Sequence, residues 1–257
     1  MKNNVDIDPV VGEMLLVIEK VFKSLDINFY VVGAIARDLQ LAKRPQSVSL
    51  RKTNDVDLAI MVGTEEDFYI IKETLLNTGY FKGHSSEPIK LFYKEAIELD
   101  LLPFGGIQNT EYETTLHKPK LFVMDMPGFK EALQHTDEII IDEKLKLKVC
   151  SLEGLVILKL FAFANKPDRT KDIIDIDHII SAYFELCSDD IYDSYMDVME
   201  MYDTVNPHYL SLISAHVIGR KIKVILSSDT WLINRLADAL AKRPTPDWAA
   251  LLRGLAE

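Results

Sequence analysis

The chain has 257 residues, 48% of them hydrophobic and 27% charged, and its 40 Asp and Glu against 29 Lys and Arg give a formal net charge of -11. That balance excludes disorder, collagen-like repeats and a coiled coil, and the length suffices for one large core or two modest ones without metal or disulfide staples. The parts before and after Cys150 carry -6 and -5, so neither is a basic domain that would coat a phosphate backbone regardless of sequence.

Charge is uneven at finer scale. Lys43, Arg44, Arg51 and Lys52 fall in one short stretch, whereas no Lys or Arg occurs between Asp172 and Gly219. The two cysteines, Cys150 and Cys187, form no C-x-x-C motif, which predicts reduced thiols in a cytoplasmic protein. No apolar signal core follows Met1, and the most apolar segment, Leu152 to Ala164, contains Lys159 and falls short of the roughly 20 residues of a membrane span. No membrane partner is expected.

After Pro9, apolar residues at Val10, Met14, Leu15, Val17, Ile18, Val21 and Phe22 predict a helix. Phe29 to Val32 reads as a buried strand ended by Gly33, with a helix from about Ala34 to Leu41. Val56 to Val62 is a second strand, and Thr64 is the expected N-cap of a helix running to about Thr78, with Glu65, Glu66 and Asp67 in its first turn. Further strands are expected at Ile89 to Tyr93, Ile97 to Leu102, Leu121 to Met124, Glu138 to Ile141 and Leu145 to Val149, with Pro103, Gly105-Gly106 and Pro127-Gly128 as turns between them. From Ser151 the strand signal disappears, and helices are expected at about 151–164, 171–186, 189–204, 208–226, 229–243 and 246–256. The pattern is an α/β-patterned domain over 1–150 and a helical bundle over 151–257.

Three features carry chemistry. Asp55 and Asp57 stand at i and i+2 on one strand, so both carboxylates share a face while Val56, Leu58 and Ile60 enter the core. Such a pair repels itself unless a cation intervenes, and it suits Mg²⁺, which takes one or two carboxylates together with substrate phosphates; the alternative is two solvated acids at a strand end. Asp100, between Leu99 and Leu101, is a carboxylate in an apolar run and so implies a partner; beside Asp55 and Asp57 it would complete a metal-binding cluster, with Glu98 two residues earlier as its rival. Gly33, Ala34 and Arg37 form a strand-glycine-helix turn whose free backbone N–H groups make an anion site.

Gly33, Asp55-Val56-Asp57 and Asp100, in that order, resemble the nucleotidyltransferases of the DNA polymerase beta superfamily. Leu99-Asp100-Leu101-Leu102-Pro103-Phe104-Gly105 and the helical stretch from Leu158-Lys159-Leu160-Phe161-Ala162 through Arg169-Thr170-Lys171-Asp172-Ile173-Ile174-Asp175 are similar to the AbiEii-like abortive-infection branch, whose better-known members are toxins of toxin-antitoxin systems. The resemblance implies an α+β fold, with an N-terminal polymerase beta-like mixed sheet and helices before the helical bundle. It implies Mg²⁺ (or Mn²⁺) on Asp55, Asp57 and Asp100, and a lysine and an acid from the helical half, carried onto Lys159 and Asp172. The 33–38 turn is also similar to CCA-adding enzymes and poly(A) polymerases, but their Arg-Arg-Asp strand motif and larger helical body are lacking here. Ala34 departs from the usual Ser or Gly and loses a hydroxyl, which implies weaker triphosphate binding or an altered substrate.

Lys159 also stands out independently, because a lysine on a helix apolar on nearly every face must snorkel or be paired. Asp172 and Asp175 share a face of the next helix, where Arg169 or Lys171 could pair with either. The reading is a metal-dependent nucleotidyltransferase moving an NMP from an NTP to an acceptor hydroxyl on RNA or tRNA, a protein or a small molecule, with release of pyrophosphate. Gly33, Ala34, Arg37, Lys52 and Lys159 would hold phosphates, Asp100 would activate the acceptor, and tRNA or other RNA and an antitoxin are the expected macromolecular partners. The alternatives are a nucleotide-binding protein that has lost catalysis, or a CCA-adding-like enzyme.

Overall fold

A computed structural model of the chain describes residues 7–42, 55–141, 145–227 and 229–257. The basic stretch Lys43, Arg44, Arg51 and Lys52 lies outside them. Two compact units divide the chain, Met1–Ser151 and Leu152–Glu257.

The first unit is built on a seven-stranded mixed sheet. α1 (Pro9–Ser24) starts where the Asp8 carboxylate accepts a hydrogen bond from Val10 N at 2.8 Å, with Pro9 at the first helical position, and it buries Met14, Leu15, Ile18 and Phe22. β1 (Phe29–Val32) leads into α2 (Gly33–Leu41). β2 (Asp55–Val62) is followed by α3 (Glu65–Asn77), which is held by a reciprocal capping box between Thr64 and Asp67. β3 (Phe81–Gly83), β4 (Lys90–Tyr93) and β5 (Ile97–Gly105) come next, then the hairpin β6 (Glu113–Leu116) and β7 (Phe122–Asp125), the short α4 (Phe129–Leu133), β8 (Thr136–Ile141) and β9 (Leu145–Cys150).

The large sheet has the order β3-β4-β5-β2-β1-β9-β8, while β6 and β7 pair separately. The β2–β5 and β1–β9 pairs are parallel and the others antiparallel. Alternation decides the faces: Val56, Leu58, Leu91, Leu99 and Leu101 are buried on one side, and the polar residues between them lie on the other.

Pro103 does not end its strand as the sequence suggested; β5 continues to Gly105, with Pro103 opposite Ile60. Leu101 N donates toward the β4 side, to Ile89 O at 2.9 Å, and Pro103 nitrogen faces the same way two residues later. The last β5 residue paired with β4 is Asp100, so no ladder donor is lost at the proline. The strands β3 and β6 and the helix α4 were not anticipated.

The second unit is helical: α5 (Leu152–Asn165), α6 (Thr170–Leu186), α7 (Ser188–Ser194), α8 (Met196–Glu200), α9 (Tyr209–Ile225), α10 (Thr230–Ala241) and α11 (Pro246–Ala256). The helix expected over 189–204 is two helices, broken at Tyr195, whose φ of -134° leaves the helical region. Thr245 caps α11 by accepting from Trp248 N, and Trp248 is fully buried, with its indole donating to Asp177 at 2.9 Å. No helix of the described residues is long and apolar enough to cross a membrane.

Helices α9 and α11 meet backbone to backbone. A methyl group on Gly219 would lie 2.2 Å from Leu251 O, and one on Gly254 would lie 2.1 Å from His216 O. Both neighbours are main chain in the middle of helices, so neither can yield by rotating a side chain. Gly219→Ala or Gly254→Ala is expected to cost about 1–3 kcal/mol by overpacking; urea unfolding of the full chain measures it, and an unchanged midpoint would contradict this crossing.

Candidate active site

The site on the first unit follows from strand register. Asp57 on β2 stands opposite Val32 of β1 on one side and Asp100 of β5 on the other, and Asp100 stands opposite Lys90 of β4. One row across the sheet therefore reads Val32, Asp57, Asp100, Lys90. The adjacent same-face row places Asp55 opposite Glu98, and Glu98 opposite Phe92. All four acids and the lysine face away from the buried Val56, Leu58, Leu99 and Leu101. Asp55 is exposed at the head of its strand, while Asp57, Glu98 and Asp100 are half-buried.

The turn between β1 and α2 requires glycine for two reasons. Gly33 has φ +68°, the left-handed region, and a Cβ there would fall 2.0 Å from Asp57 Oδ2. The Asp57 carboxylate thus lies directly against the start of α2. Val32, the N-cap, provides no side-chain cap for that helix. Ala34 begins the first turn; Arg37, one turn on, is largely covered and engages Asp38 through Nε at 2.8 Å and Nη2 at 2.5 Å. Lys52 lies outside the described residues.

Asp100 and Glu98, equivalent in sequence, differ in partners. Glu98 is ion-paired with Lys90. Asp100 Oδ1 is buried and finds no hydrogen-bond donor among the described residues. Burial is the main reason the Asp100 carboxyl is pushed up to about 6, with the Asp57 charge next and Lys90 opposing both. Lys90, in turn, is held above the ordinary lysine value mainly by its hydrogen bond to Glu98. Nothing in the sequence singled out Lys90; its signal is an alternate position on the strand that proves to flank Asp100.

Lys159, Asp172 and Asp175 belong to the second unit, where α5 packs on α6. Lys159 is buried, with Nζ 2.5 Å from Asp175 Oδ2 and 3.5 Å from Asp172 Oδ1, and Arg169 Nε lies 2.8 Å from Asp172 Oδ2. The lysine therefore pairs rather than snorkels. The nearer of its two acids is Asp175, to which the sequence reading gave no catalytic role. A buried cation of this kind needs its partners close, because desolvation otherwise exceeds the Coulombic gain.

The acids on the first unit share a face without converging. Among the described residues, no three His, Cys, Asp or Glu are arranged to hold a metal ion. The donor set nevertheless fits a hard divalent cation: it consists of carboxylate oxygens, and one of them, Asp100 Oδ1, is buried and unpartnered.

Two predictions follow from this geometry. In metal-free protein, a folded-state value near 6 against 3.8 for the ordinary group makes ionisation of Asp100 unfavourable to folding. The stability it confers is complete below about pH 4 and is lost as pH rises through about 6, so Asp100→Asn should be more stable than the parent at pH 7 than at pH 4, as read by melting temperature against pH. Gly33→Ala should displace the Asp57 carboxylate, costing activity and about 1 kcal/mol or more of stability; a variant with parental activity would contradict the close approach.

Among solved structures, an antigenic nucleotidyltransferase-like protein from Paracoccidioides brasiliensis is 19% identical, with 97% of this chain and 94% of that one covered at a TM-score of 0.44. The antibiotic-resistance factor ANT(2'')-Ia is 12% identical, with 86% and 98% covered and a TM-score of 0.37. The CD-NTase CdnG of Bradyrhizobium diazoefficiens, solved in complex with GTP, is 12% identical, with 98% and 95% covered and a TM-score of 0.31. No curated protein matches the chain. The family model described as "Nucleotidyl transferase AbiEii toxin, Type IV TA system" matches residues 16–257. The chain belongs to that family and is a nucleotidyltransferase.

Proposed function

We propose that the protein transfers an NMP from an NTP to an acceptor hydroxyl on RNA, tRNA included, with a divalent cation held by Asp55, Asp57 and Asp100. The observation that carries the proposal is the Asp57–Asp100 pair on neighbouring parallel strands, with a buried carboxylate oxygen left unpartnered and the start of α2 against Asp57. When bound, Mg²⁺ or Mn²⁺ supplies charge neutralisation for the phosphates.

The chain's own groups then divide the work. The Gly33–Ala34 turn offers backbone N–H donors to the phosphates. Ala34 contributes no hydroxyl, so triphosphate binding rests more heavily on Arg37 and Lys52. Asp100 receives the acceptor proton. As the acceptor oxygen bonds to the α-phosphorus, the bond to the β-phosphate bridging oxygen breaks and pyrophosphate leaves. Residues 1–150 form the nucleotidyltransferase domain and 151–257 the helical domain in this reading. The family's Type IV toxin description supports an antitoxin that counteracts the activity.

Incubation of the purified chain with each α-labelled NTP and total RNA, protein and small-molecule fractions tests the proposal. Label is expected in RNA, in a divalent-dependent reaction that Asp55→Ala with Asp57→Ala abolishes. Asp100→Asn should lower kcat by about 10²- to 10⁴-fold, the usual contribution of general base catalysis, while the folded protein still binds NTP. Transfer into protein or a small molecule would overturn the RNA acceptor, and undiminished transfer by the double variant would overturn the site.

A further inference from the structure

We infer that Lys90 and Glu98 form a positioning pair, in which Glu98 holds the Lys90 ammonium beside Asp100 but off its oxygens, keeping them open for the cation. The inference rests on the metal-site reading above and extends it to two residues that this reading leaves unused.

Lys90 has a choice of carboxylates. Its direct cross-strand partner is Asp100, and Glu98 sits diagonally, two residues earlier on the same face of β5. Directly opposed side chains in an antiparallel pair have Cβ atoms roughly 5 Å apart, so geometry alone favours Asp100 as the lysine's partner. The ion pair nevertheless forms with Glu98, and Glu87 lies 3.6 Å from the same ammonium. Asp100 Oδ1 stays buried and unpartnered.

The longer Glu98 side chain explains the outcome. It reaches along the strand to the ammonium, whereas a lysine folded directly onto Asp100 would fill the position that a cation must take. Charge is partly offset at the same time. Asp55, Asp57, Glu98 and Asp100 share this face, and Lys90 is the basic residue that their strand register brings among them. The pair removes Glu98 from competition as a ligand and places a positive charge close enough to moderate Asp57–Asp100 repulsion. This is an outer-shell role, exerted through Asp100 rather than on substrate.

The two substitutions have opposite consequences, which separates positioning from folding. Glu98→Gln releases the ammonium to Asp100 and is expected to weaken Mn²⁺ binding roughly ten-fold, the scale of outer-shell effects. Adding Lys90→Met to Glu98→Gln removes the competitor and should restore most of that affinity. Mn²⁺ binding is read by calorimetry and by loss of the free-ion electron paramagnetic resonance signal, with Asp57→Ala as the site control and urea unfolding as the folding control. Parental affinity in Glu98→Gln, or no recovery in the double variant, overturns the inference while leaving the metal site intact. If the parent binds no Mn²⁺, or Asp57→Ala binds it undiminished, the metal-site reading and this inference fall together.

Discussion

Two carboxylates on adjacent parallel strands constrain the first unit. Side by side, such charges repel, and a one-residue slip of either strand would separate them. The slip is blocked. Shifting β2 or β5 by one residue would turn Val56, Leu58, Leu99 and Leu101 to the polar face and drive the acids into the core. The apolar face thus fixes the register that places Asp57 beside Asp100. The sheet order sets the neighbours of the pair: β1 brings Gly33 against Asp57, and β4 brings Lys90 opposite Asp100.

The second unit resolves a comparable problem by pairing. Lys159 is buried on a helix whose other buried residues are almost all apolar, and two acids from one face of α6 compensate it. Removing one partner of such a group leaves a buried charge, so Asp175 matters to Lys159 at least as much as Asp172 does. The frame around them is tight, since Gly219 and Gly254 let two helices touch through their backbones.

Much of this was legible beforehand because it is local. Apolar runs and alternation marked β1, β2, β4, β5, β8 and β9; Thr64 with acids in the turn after it marked the start of α3; and the strand-glycine-helix turn and the spaced aspartates marked the candidate site. The connection between β4 and β5 was not legible as a tight turn. Ala96 N returns to Tyr93 O at 3.0 Å, and Lys94 and Glu95 both adopt positive φ, at 47° and 59°. That is a three-residue connection between the paired Tyr93 and Ile97, with two left-handed residues and no glycine or asparagine to signal them. Without that hairpin, Lys90 has no visible relation to Asp100. Pro103 misled for a similar reason, because its cost depends on whether a strand lies on its nitrogen side.

By itself, the sequence determined which residues are acids in apolar strands, where glycine interrupts them, and that a sheet-bearing part precedes a helical one. It also carried the family, since ordered motifs survive without coordinates. Only the tertiary structure set Asp100 apart from Glu98 in burial and partners, since the sequence leaves the two equivalent on one face of one strand. The reason is physical. A carboxylate's state depends on its burial and on the charges that other strands bring beside it, and those neighbours are set by pairing across the sheet rather than by position along the chain.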